Sequence, residues 1–522
     1  LADVDLAGSE FISTHPAQDS LRFRSSRTKY SLREKIIYAS DVMFIKVADA
    51  TIFPGDGNVT ILKKAEMVPL ENAQILANNT TKYHTISSAK VFVYGRNSYL
   101  GEGYYDYIDE MEGMQRIFLD KVSVDSTIQT YAHGYIKDSL GFTLSPYFDF
   151  YGDVNLTASA EFLTFDGGAR IKHQCDTLGL QWLKFTTEIN PMEIYIPVGE
   201  SITNTNGDKI YLGLYLNRDS VGVYPAFLSR KFLGGDPELA TSSGYLTYDH
   251  SSNEYRVSSK EKLAQPVLPG KYMSLSVFKC MSRNEGKLSF GDNFGRMKMN
   301  NYGIIDHSNR DSSTMIYTIS ELDFFLAPAA LEMFEQTFAA NPELEPTNVR
   351  SELYTKYLGE IMSAEDAEKA ESELILYGYF KKLPEKLEHT ITFSDLTLKY
   401  NEKTKSYVSQ GKIGISTVGK TQINKYVDGK MELSQKRSGD RLTFYLDLGT
   451  DWFFFDYYNG LMSVFSSKKE WNDIIINTKD EERELKAKDG EKAYRFYIST
   501  TSRKDKFLKK IGEGSDEPDE EE

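Results

Sequence analysis

Apolar and polar residues alternate along most of the chain, in short segments separated by turn-forming residues. In MEIYIPV (192–198) and RLTFYLDLG (441–449) an apolar residue recurs at every second position, which places those residues on one face of a strand. Turn signals such as PGDGN (54–58), NTNGD (204–208) and LGGDP (233–237) separate such segments. The pattern predicts antiparallel strands over residues 1 to about 325 and again from 390 to about 500.

The hydrophobic period changes from two to that of a helix between residues 326 and 389. Pro328 suits the first position of a helix, and Asn341-Pro342 ends it. Ser363 and Asp366 resemble a capping box before a later helix. The segment predicts a small insertion of three helices, which we interpret as an element packed on the end of a sheet.

Six pentads repeat one phrase, a glycine followed by two apolar residues that are two positions apart. They are GNVTI, GDVNL, GKLSF, GRMKM, GKIGI and GKMEL, at Gly57, Gly152, Gly286, Gly295, Gly411 and Gly429. Such a glycine predicts a turn or a bulge that leads into a strand. The unequal spacing argues against a regular solenoid.

A second phrase, L-x-Y-[DN]-x5-Y, occurs in LTYDHSSNEY (246–255) and LKYNEKTKSY (398–407). The Asp or Asn opens a turn in each copy. The phrase therefore predicts two hairpins in which paired tyrosines meet across the strands.

These patterns together predict a mainly β protein: an antiparallel jelly-roll, sandwich or irregular β-solenoid body with a small helical insertion. We expect five parts along the chain. They are a β body at 1–200, a second β region at 201–325, the helical insertion at 326–389, a C-terminal β region at 390–500, and a short helix with an acidic disordered tail at 501–522.

Composition narrows the class of protein. The 522 residues carry a net charge of −15, which argues against nucleic acid as a partner. Apolar runs are too short for a transmembrane helix. The chain begins at Leu1, so we expect a processed or truncated chain. Cys175 and Cys280 are compatible with one disulfide or with two buried thiols.

Two motifs suggest chemistry that the sequence around them does not support. GISTVGKT (414–421) matches a phosphate-binding loop, but only six residues separate it from the turn at Asp428-Gly429, too few for the required helix. His173 and Cys175 alternate as on one strand face, where a histidine beside a buried thiol is the expected arrangement. We therefore predict a turn at 414–421, and no cofactor, metal site or catalytic residue.

A cluster of tyrosines lies in GEGYYDYID (101–109). Aromatic faces with polar neighbours suit sugar rings and protein interfaces, so Tyr104, Tyr105 and Tyr107 are a candidate recognition platform. Cross-strand ladders inside a sheet are the alternative interpretation.

The segment FRSSRTKYSLREKIIYASDVMFIKVADATIFPGDGNVTI (23–61) is similar to the strand and turn cadence of the LptA/OstA type. The resemblance covers residues 23–165. It implies an open β-jelly roll of a kind that bridges the periplasm and shields acyl chains in a groove. The helical insertion and the acidic tail have no place in those small bridging proteins, so the resemblance favours an envelope location over lipid transport.

The whole chain resembles large β-rich envelope proteins of the Bacteroidota, which are associated with O-glycosylation at Asp-Ser/Thr triplets. This resemblance implies candidate glycosylation at Ser126, Ser139, Thr177 and Ser220.

The sequence thus favours a non-enzymatic scaffold or interaction protein of the cell envelope. Its expected location is the periplasm, the outer membrane or the cell surface, within an assembly of other envelope proteins. One alternative is a lipid or lipoglycan conduit of the LptA type. The other is a glycan-binding or polysaccharide-active surface protein.

Overall fold

The computed structural model describes residues 4–5, 8–176, 178–291, 294–487 and 492–513. Within these ranges the protein is mainly β, with large antiparallel sheets and a few short helices. The predicted fold class is therefore confirmed. The acidic tail predicted beyond residue 513 lies outside the described residues.

The strands up to residue 189 are β1 (Val4–Asp5), β2 (Ser9–Ile12), β3 (Arg22–Ser25), β4 (Arg27–Ser31), β5 (Ile36–Ser40), β6 (Ile45–Val47), β7 (Ala50–Phe53), β8 (Val59–Ile61), β9 (Leu70–Ala77), β10 (His84–Gly95), β11 (Ser98–Ile108), β12 (Met114–Val124), β13 (Thr130–Ile136), β14 (Thr143–Ser145), β15 (Phe148–Thr157), β16 (Leu163–Ile171) and β17 (Leu183–Ile189).

The later strands are β18 (Ile196–Val198), β19 (Ile202–Thr203), β20 (Lys209–Asn217), β21 (Gly222–Ser229), β22 (Glu238–Thr241), β23 (Gly244–Asp249), β24 (Glu254–Ser258), β25 (Tyr272–Ser276), β26 (Met281–Leu288), β27 (Lys298–Ser308), β28 (Thr314–Asp323), β29 (Ile391–Asn401), β30 (Ser406–Val418), β31 (Thr421–Ser434), β32 (Arg441–Asp447), β33 (Trp452–Tyr458), β34 (Leu461–Ser466), β35 (Glu484–Leu485) and β36 (Tyr494–Ile498).

The helices are α1 (Lys260–Ala264), α2 (Pro328–Ala339), α3 (Glu352–Ile361), α4 (Ala364–Tyr377), α5 (Lys469–Asn477) and α6 (Thr501–Glu513). Single 3₁₀ turns occur at Pro16–Gln18, Lys63–Ala65, Asp138–Leu140, Glu385–Leu387 and Asp480–Arg483. Across the described ranges, none of the helices combines the length and the apolar character needed to span a membrane.

Two large sheets hold most of the strands in nearly sequential order. The 13-stranded sheet runs β17-β16-β15-β13-β12-β11-β10-β9-β7-β6-β3-β2, with β14 beside β15, and the 15-stranded sheet runs β18-β23 and then in chain order from β24 to β34, followed by β36 and β35. Neighbours pair antiparallel, except β34 with β36. Two four-stranded sheets, β1-β4-β5-β8 and β19 to β22, complete the set.

The 13-stranded sheet bends so far that its apolar face packs on itself. In the sheet order β16 is the fourth strand beyond β11, a separation of about 19 Å within a flat sheet. The rings of Tyr107 on β11 and Phe165 on β16 are nevertheless 5.8 Å apart. Phe142 and Phe150 also lie against Phe165. The interior of the bend is therefore filled by the protein's own aromatic rings.

Facing glycines permit close approach of neighbouring strands in both large sheets. Gly152 pairs with Gly167, and Gly286 pairs with Gly303. Gly152 has a φ of +141°, and an added Cβ would lie 2.5 Å from the carbonyl oxygen of Asp166. No side chain fits there, so the sequence must supply glycine.

The pentad glycines occupy two kinds of position rather than one. Gly57, Gly295 and Gly411 have φ near +69° in turns or in a bulge of β30, as predicted. Gly152, Gly286 and Gly429 instead lie inside β15, β26 and β31. The prediction that each pentad begins at a corner is wrong for these three, because the sequence pattern is the same whether a glycine turns the chain or admits a neighbouring strand.

Both copies of the tyrosine phrase form the predicted hairpins. Tyr248 pairs directly with Tyr255, and Tyr400 with Tyr407. Their ring centroids are 5.0 Å and 5.2 Å apart. This register brings the two tyrosines of each phrase opposite one another, as the phrase predicts.

The predicted helical insertion is present as α2, α3 and α4. The Ser363 side chain accepts a hydrogen bond from the Asp366 amide at the start of α4, as the capping pattern predicts. On α3, Tyr357 is buried and its hydroxyl donates to Glu321 of β28, 2.7 Å away. Lys356 pairs with Glu285 of β26 at 3.0 Å. The insertion is thus anchored on the 15-stranded sheet.

A disulfide joins the two large sheets. Cys175, after β16, is bonded to Cys280, before β26, with Cα atoms 5.5 Å apart, which settles the alternative that the sequence left open. One apolar core runs from Leu21 to Cys280 and a second from Leu214 to Phe496. The five-part division of the chain stays a prediction.

Candidate recognition site

Strands β11 and β12 carry apolar side chains on the outward face of the bent sheet. Tyr104 pairs directly with Phe118, with ring centroids 5.2 Å apart. Ile108 pairs with Met114 two rungs further along. Tyr104 is 37% exposed and Phe118 is 43% exposed. These pairs form an exposed apolar strip along a regular, hydrogen-bonded hairpin.

An ion pair fixes the middle rung of this strip. Asp106 pairs with Arg116 across the strands, and the Arg116 Nε lies 3.1 Å from the carboxylate. The guanidinium also donates to the Ser87 hydroxyl at 3.0 Å and lies 4.6 Å from the centre of the Tyr104 ring. We call this surface the outer ladder. It consists of Tyr104, Asp106, Ile108, Met114, Arg116 and Phe118.

The outer ladder has an acidic border. Glu102, Glu112 and Asp120 are exposed beside it on β11, β12 and their connecting turn, with Lys90 opposite Glu102 and Lys121 next to Asp120. Asp120 hydrogen-bonds His133 on β13 at 3.0 Å, and Asp153 binds the other ring nitrogen at 2.9 Å. These two carboxylates raise the pKa of His133. A partner with basic groups around an apolar centre is therefore electrostatically complementary to this surface.

Tyr105 and Tyr107 lie on the inward face of β11, opposite Tyr104. The Tyr107 hydroxyl donates to the Leu144 carbonyl oxygen at 2.8 Å, and burial raises the pKa of this hydroxyl. The predicted single platform of Tyr104, Tyr105 and Tyr107 is therefore not present, because successive side chains of a strand point to opposite faces. Whether any of them takes part in recognition stays a prediction.

A cavity of about 260 Å³ opens on the inward side of β11. It is lined by Tyr83, Tyr105, Tyr107, Glu161, Phe162, Leu163, Ile189 and Pro191. Aromatic rings beside a carboxylate form the kind of surface that accepts one sugar ring.

His84 orients one wall of that cavity. Its Nε2 lies 2.7 Å from the carbonyl oxygen of Ala160, and its Nδ1 lies 3.4 Å from the Tyr105 hydroxyl. A carbonyl only accepts, so Nε2 carries the proton and Nδ1 accepts from Tyr105. Burial lowers the pKa of His84, which favours this neutral form.

The turn predicted at 414–421 is present but is confined to two residues, because most of GISTVGKT belongs to β30. Val418 at the end of β30 pairs with Thr421 at the start of β31, which leaves Gly419 and Lys420 as the two loop residues. Gly419 has a φ of +58°, and the Lys420 side chain is exposed. A strand follows the motif, whereas a phosphate-binding loop requires a helix there.

His173 and Cys175 lie in the segment after β16. Cys175 is in the disulfide, so it offers no thiolate to a metal. Among the residues that the structure describes, no group of three or more His, Cys, Asp or Glu side chains is arranged to hold a metal ion.

The candidate glycosylation residues that are described lie in exposed turns. Ser126 follows β12, Ser139 is in the Asp138–Leu140 turn, and Ser220 is in the turn between β20 and β21. Thr177 lies outside the described residues.

The β12 half of the outer ladder was not among the predicted recognition residues. Met114, Arg116 and Phe118 alternate in MQRIFLD (114–120), which already places them on one face. Pairing this segment with 101–109 across the turn at 109–113 would have aligned them with Tyr104. That register depends on the turn, which the alternation alone does not fix.

No protein-family model matches the chain, and no curated protein matches its sequence significantly. The similarity of residues 23–165 to the LptA/OstA type therefore stays a resemblance in strand cadence.

Proposed function

We propose that the protein is a non-enzymatic interaction protein of the cell envelope, and that the outer ladder binds a partner protein. The observation that carries this proposal is the exposed pairing of Tyr104 with Phe118 beside Arg116. Tyr, Phe, Met and Arg are enriched in protein interfaces. They supply much of the binding energy where a centre of apolar contacts is shielded from water.

The disulfide supports an exported location. Cys175 and Cys280 are bonded across a sequence separation of 105 residues. Such structural bonds form and persist in oxidising compartments and are rare in the cytosol. Fractionation of source cells should recover the protein with exported proteins, and recovery in the cytoplasmic fraction would contradict this part of the proposal.

The proposed partner has an apolar patch surrounded by Lys and Arg. The apolar patch would cover Tyr104, Phe118 and Met114, and the basic groups would approach Glu102 and Glu112. Because those carboxylates are exposed, raising the salt concentration should slow association more than it speeds dissociation.

Site-specific cross-linking tests this surface. A photoreactive residue at position 104, introduced as Tyr104→p-benzoylphenylalanine in source cells, should cross-link to one discrete protein. The matched control is Tyr317 on β28, which is 39% exposed, with the same replacement. The cross-linked partner, once purified, should bind Tyr104→Ser about tenfold or more weakly and Tyr317→Ser unchanged. Equal cross-linking at both positions would contradict the proposal.

A glycan-binding role is the second candidate, and the cavity behind β11 favours it. Tyr83 is partly exposed at this cavity, beside Tyr105 and Glu161. On a glycan array, Tyr83→Ala should remove binding, whereas Tyr104→Ala on the opposite face should leave it intact. Loss of binding in both variants would point to misfolding or to a different surface.

The lipid-conduit alternative stays a prediction. A groove for acyl chains requires open space along the apolar face of the bent sheet. That space is filled where Tyr107, Phe150 and Phe165 meet, so no specific observation favours this alternative.

A further inference from the structure

A cavity of about 990 Å³ lies where the two large sheets meet. Its walls come from β15, from the end of β16 and the segment after it, from the turn between β25 and β26, and from the turn after β27. Cys175 and Cys280 line it, so the disulfide fixes two of its walls together. This volume suits a small organic molecule.

The cavity carries more positive than negative charge, although the whole chain is strongly acidic. Asp149 receives both Arg170 at 2.8 Å and Lys172 at 3.0 Å. One carboxylate therefore balances two cations. Arg310 adds a third cation, whose guanidinium donates to the uncharged carbonyl oxygen of Phe278 at 2.6 Å. Asp176 is the second carboxylate of the lining, which leaves one positive charge in excess.

A hydrogen-bond donor in the wall lacks a protein acceptor. The Nδ1 atom of His173 accepts from the Cys175 amide at 3.2 Å, so the ring proton of the neutral imidazole is on Nε2. That Nε2 is buried and has no protein hydrogen-bond partner. Burial lowers the pKa of His173, which favours the neutral form. This Nε2 atom is closed off from solvent, so it offers no hydrogen bond to a molecule in the cavity.

Two apolar side chains line the same cavity. Phe278 is 69% exposed and Leu180 is 47% exposed. Large apolar groups this exposed beside a cavity mark the contact surface of a ligand more often than those scattered singly over a protein. The accessible lining thus combines cations with one aromatic and one aliphatic side chain.

We propose that this cavity binds a small organic anion that carries a carboxylate or phosphate group on an aromatic or apolar skeleton. Lys172 and Arg310 face the anionic group, and Phe278 and Leu180 cover the skeleton. Planar guanidinium and ammonium groups both bind such oxyanions through charge-assisted hydrogen bonds.

Calorimetric titration of the full chain tests this site with three probes: phenyl phosphate, inorganic phosphate and benzyl alcohol. Phenyl phosphate should bind with one-to-one stoichiometry. It should bind about tenfold tighter than inorganic phosphate or benzyl alcohol, because its phosphate contacts the cations and its ring contacts the apolar side chains. Lys172→Gln and Arg310→Gln should each weaken it about tenfold through loss of a charge-assisted hydrogen bond. Lys184→Gln, exposed on β17, is the matched control and should bind like the wild type.

The wild-type protein alone provides a second readout if either variant fails to fold. Phenyl phosphate should bind more weakly as the ionic strength is raised about tenfold, because exposed charges are then screened. Absence of saturable phenyl phosphate binding would overturn the proposal, as would unchanged affinity in both Lys172→Gln and Arg310→Gln. Inorganic phosphate binding as tightly as phenyl phosphate would also overturn it, because the apolar side chains would then contribute nothing.

Discussion

The hydroxyl of Tyr255 lies 2.7 Å from the carbonyl oxygen of Tyr147 and donates to it across the join between the two large sheets. The same hydroxyl accepts from the backbone amide of Lys172 at 2.8 Å. Beside it, the rings of Tyr147 and Tyr248 stack with centroids 3.7 Å apart. One buried side chain of β24 thus satisfies backbone groups at two places of the preceding sheet.

Removing this hydroxyl should destabilise the join. Tyr255→Phe keeps the ring but leaves the Lys172 amide and the Tyr147 carbonyl without their partner, which costs about 1–3 kcal/mol. Thermal unfolding followed by calorimetry should show a lower Tm than wild type. Tyr317→Phe, an exposed ring on β28, is the control and should change stability by less than about 0.5 kcal/mol. Equal stability of the two variants would contradict a structural role for the hydroxyl.

Reducing the disulfide should also destabilise the protein. Opening the bond between Cys175 and Cys280 frees a loop of 105 residues, and loss of a cross-link over such a loop costs about 3–5 kcal/mol. Urea unfolding should show a lower midpoint for wild type in dithiothreitol. The Cys175→Ser, Cys280→Ser double variant should have the same low midpoint with or without reductant. A wild-type midpoint that does not respond to reductant would contradict this prediction.

His389 should make stability depend on pH. Its Nδ1 lies 2.8 Å from the Asp323 carboxylate, and its Nε2 lies 3.6 Å from Glu321. Burial alone would lower the pKa of His389, but the hydrogen bond to Asp323 and the nearby charge of Glu321 outweigh it and raise the pKa from 6.5 to about 10. A raised pKa means that the folded state holds the proton more tightly. The resulting stabilisation is complete below about pH 6.5 and is lost as the pH rises towards 10.

The corresponding experiment compares wild type with His389→Gln. The variant should be less stable by about 1–2 kcal/mol at pH 6, a modest value because Asp323 is partly exposed to solvent. The difference should shrink between pH 6.5 and 10. A difference that stays constant over this range would show that the charge of His389 contributes nothing.

The backbone of β16 lies so close to Gly152 that any side chain at this position should destabilise the protein. In Gly152→Ala the new Cβ would lie 2.5 Å from the Asp166 carbonyl oxygen, at a φ of +141°. The backbone must shift, at a cost of about 1–3 kcal/mol. The matched control is Gly179→Ala, where an added Cβ meets nothing within 4 Å. Calorimetry should show a lower Tm only for Gly152→Ala, and equal values would contradict the inferred strand contact.

Exposed Asp-Ser triplets should carry O-linked glycans in protein isolated from its source. Ser126, Ser139 and Ser220 lie in exposed turns, so an enzyme can reach their hydroxyls. Electron-transfer mass spectrometry of peptides should find added hexose masses at these serines. Unmodified peptides covering all three would contradict the prediction. Expression in a host without the modifying enzymes supplies the unmodified control.

The sequence by itself determined the element types, because their signals are local. Alternation specifies strands, the helical period and the Ser363 cap specify the insertion, and the L-x-Y-[DN]-x5-Y phrase specifies both the hairpin turn and the tyrosine pair. Each of these patterns depends on residues within about ten positions of one another, so no distant partner was needed to interpret them.

Only the tertiary structure decided what depends on strands far apart in the chain. The contact of Tyr107 with Phe165 requires the sheet to bend, and the bond between Cys175 and Cys280 requires two sheets to meet. Local alternation is enough to place Tyr104 and Tyr105 on opposite faces of the sheet. The contact of Tyr104 with Phe118, in contrast, depends on the register of the hairpin. The cations of the cavity at the join come from segments more than 130 residues apart. Alternation specifies which residues face inward, but packing free energy decides which other strand they meet.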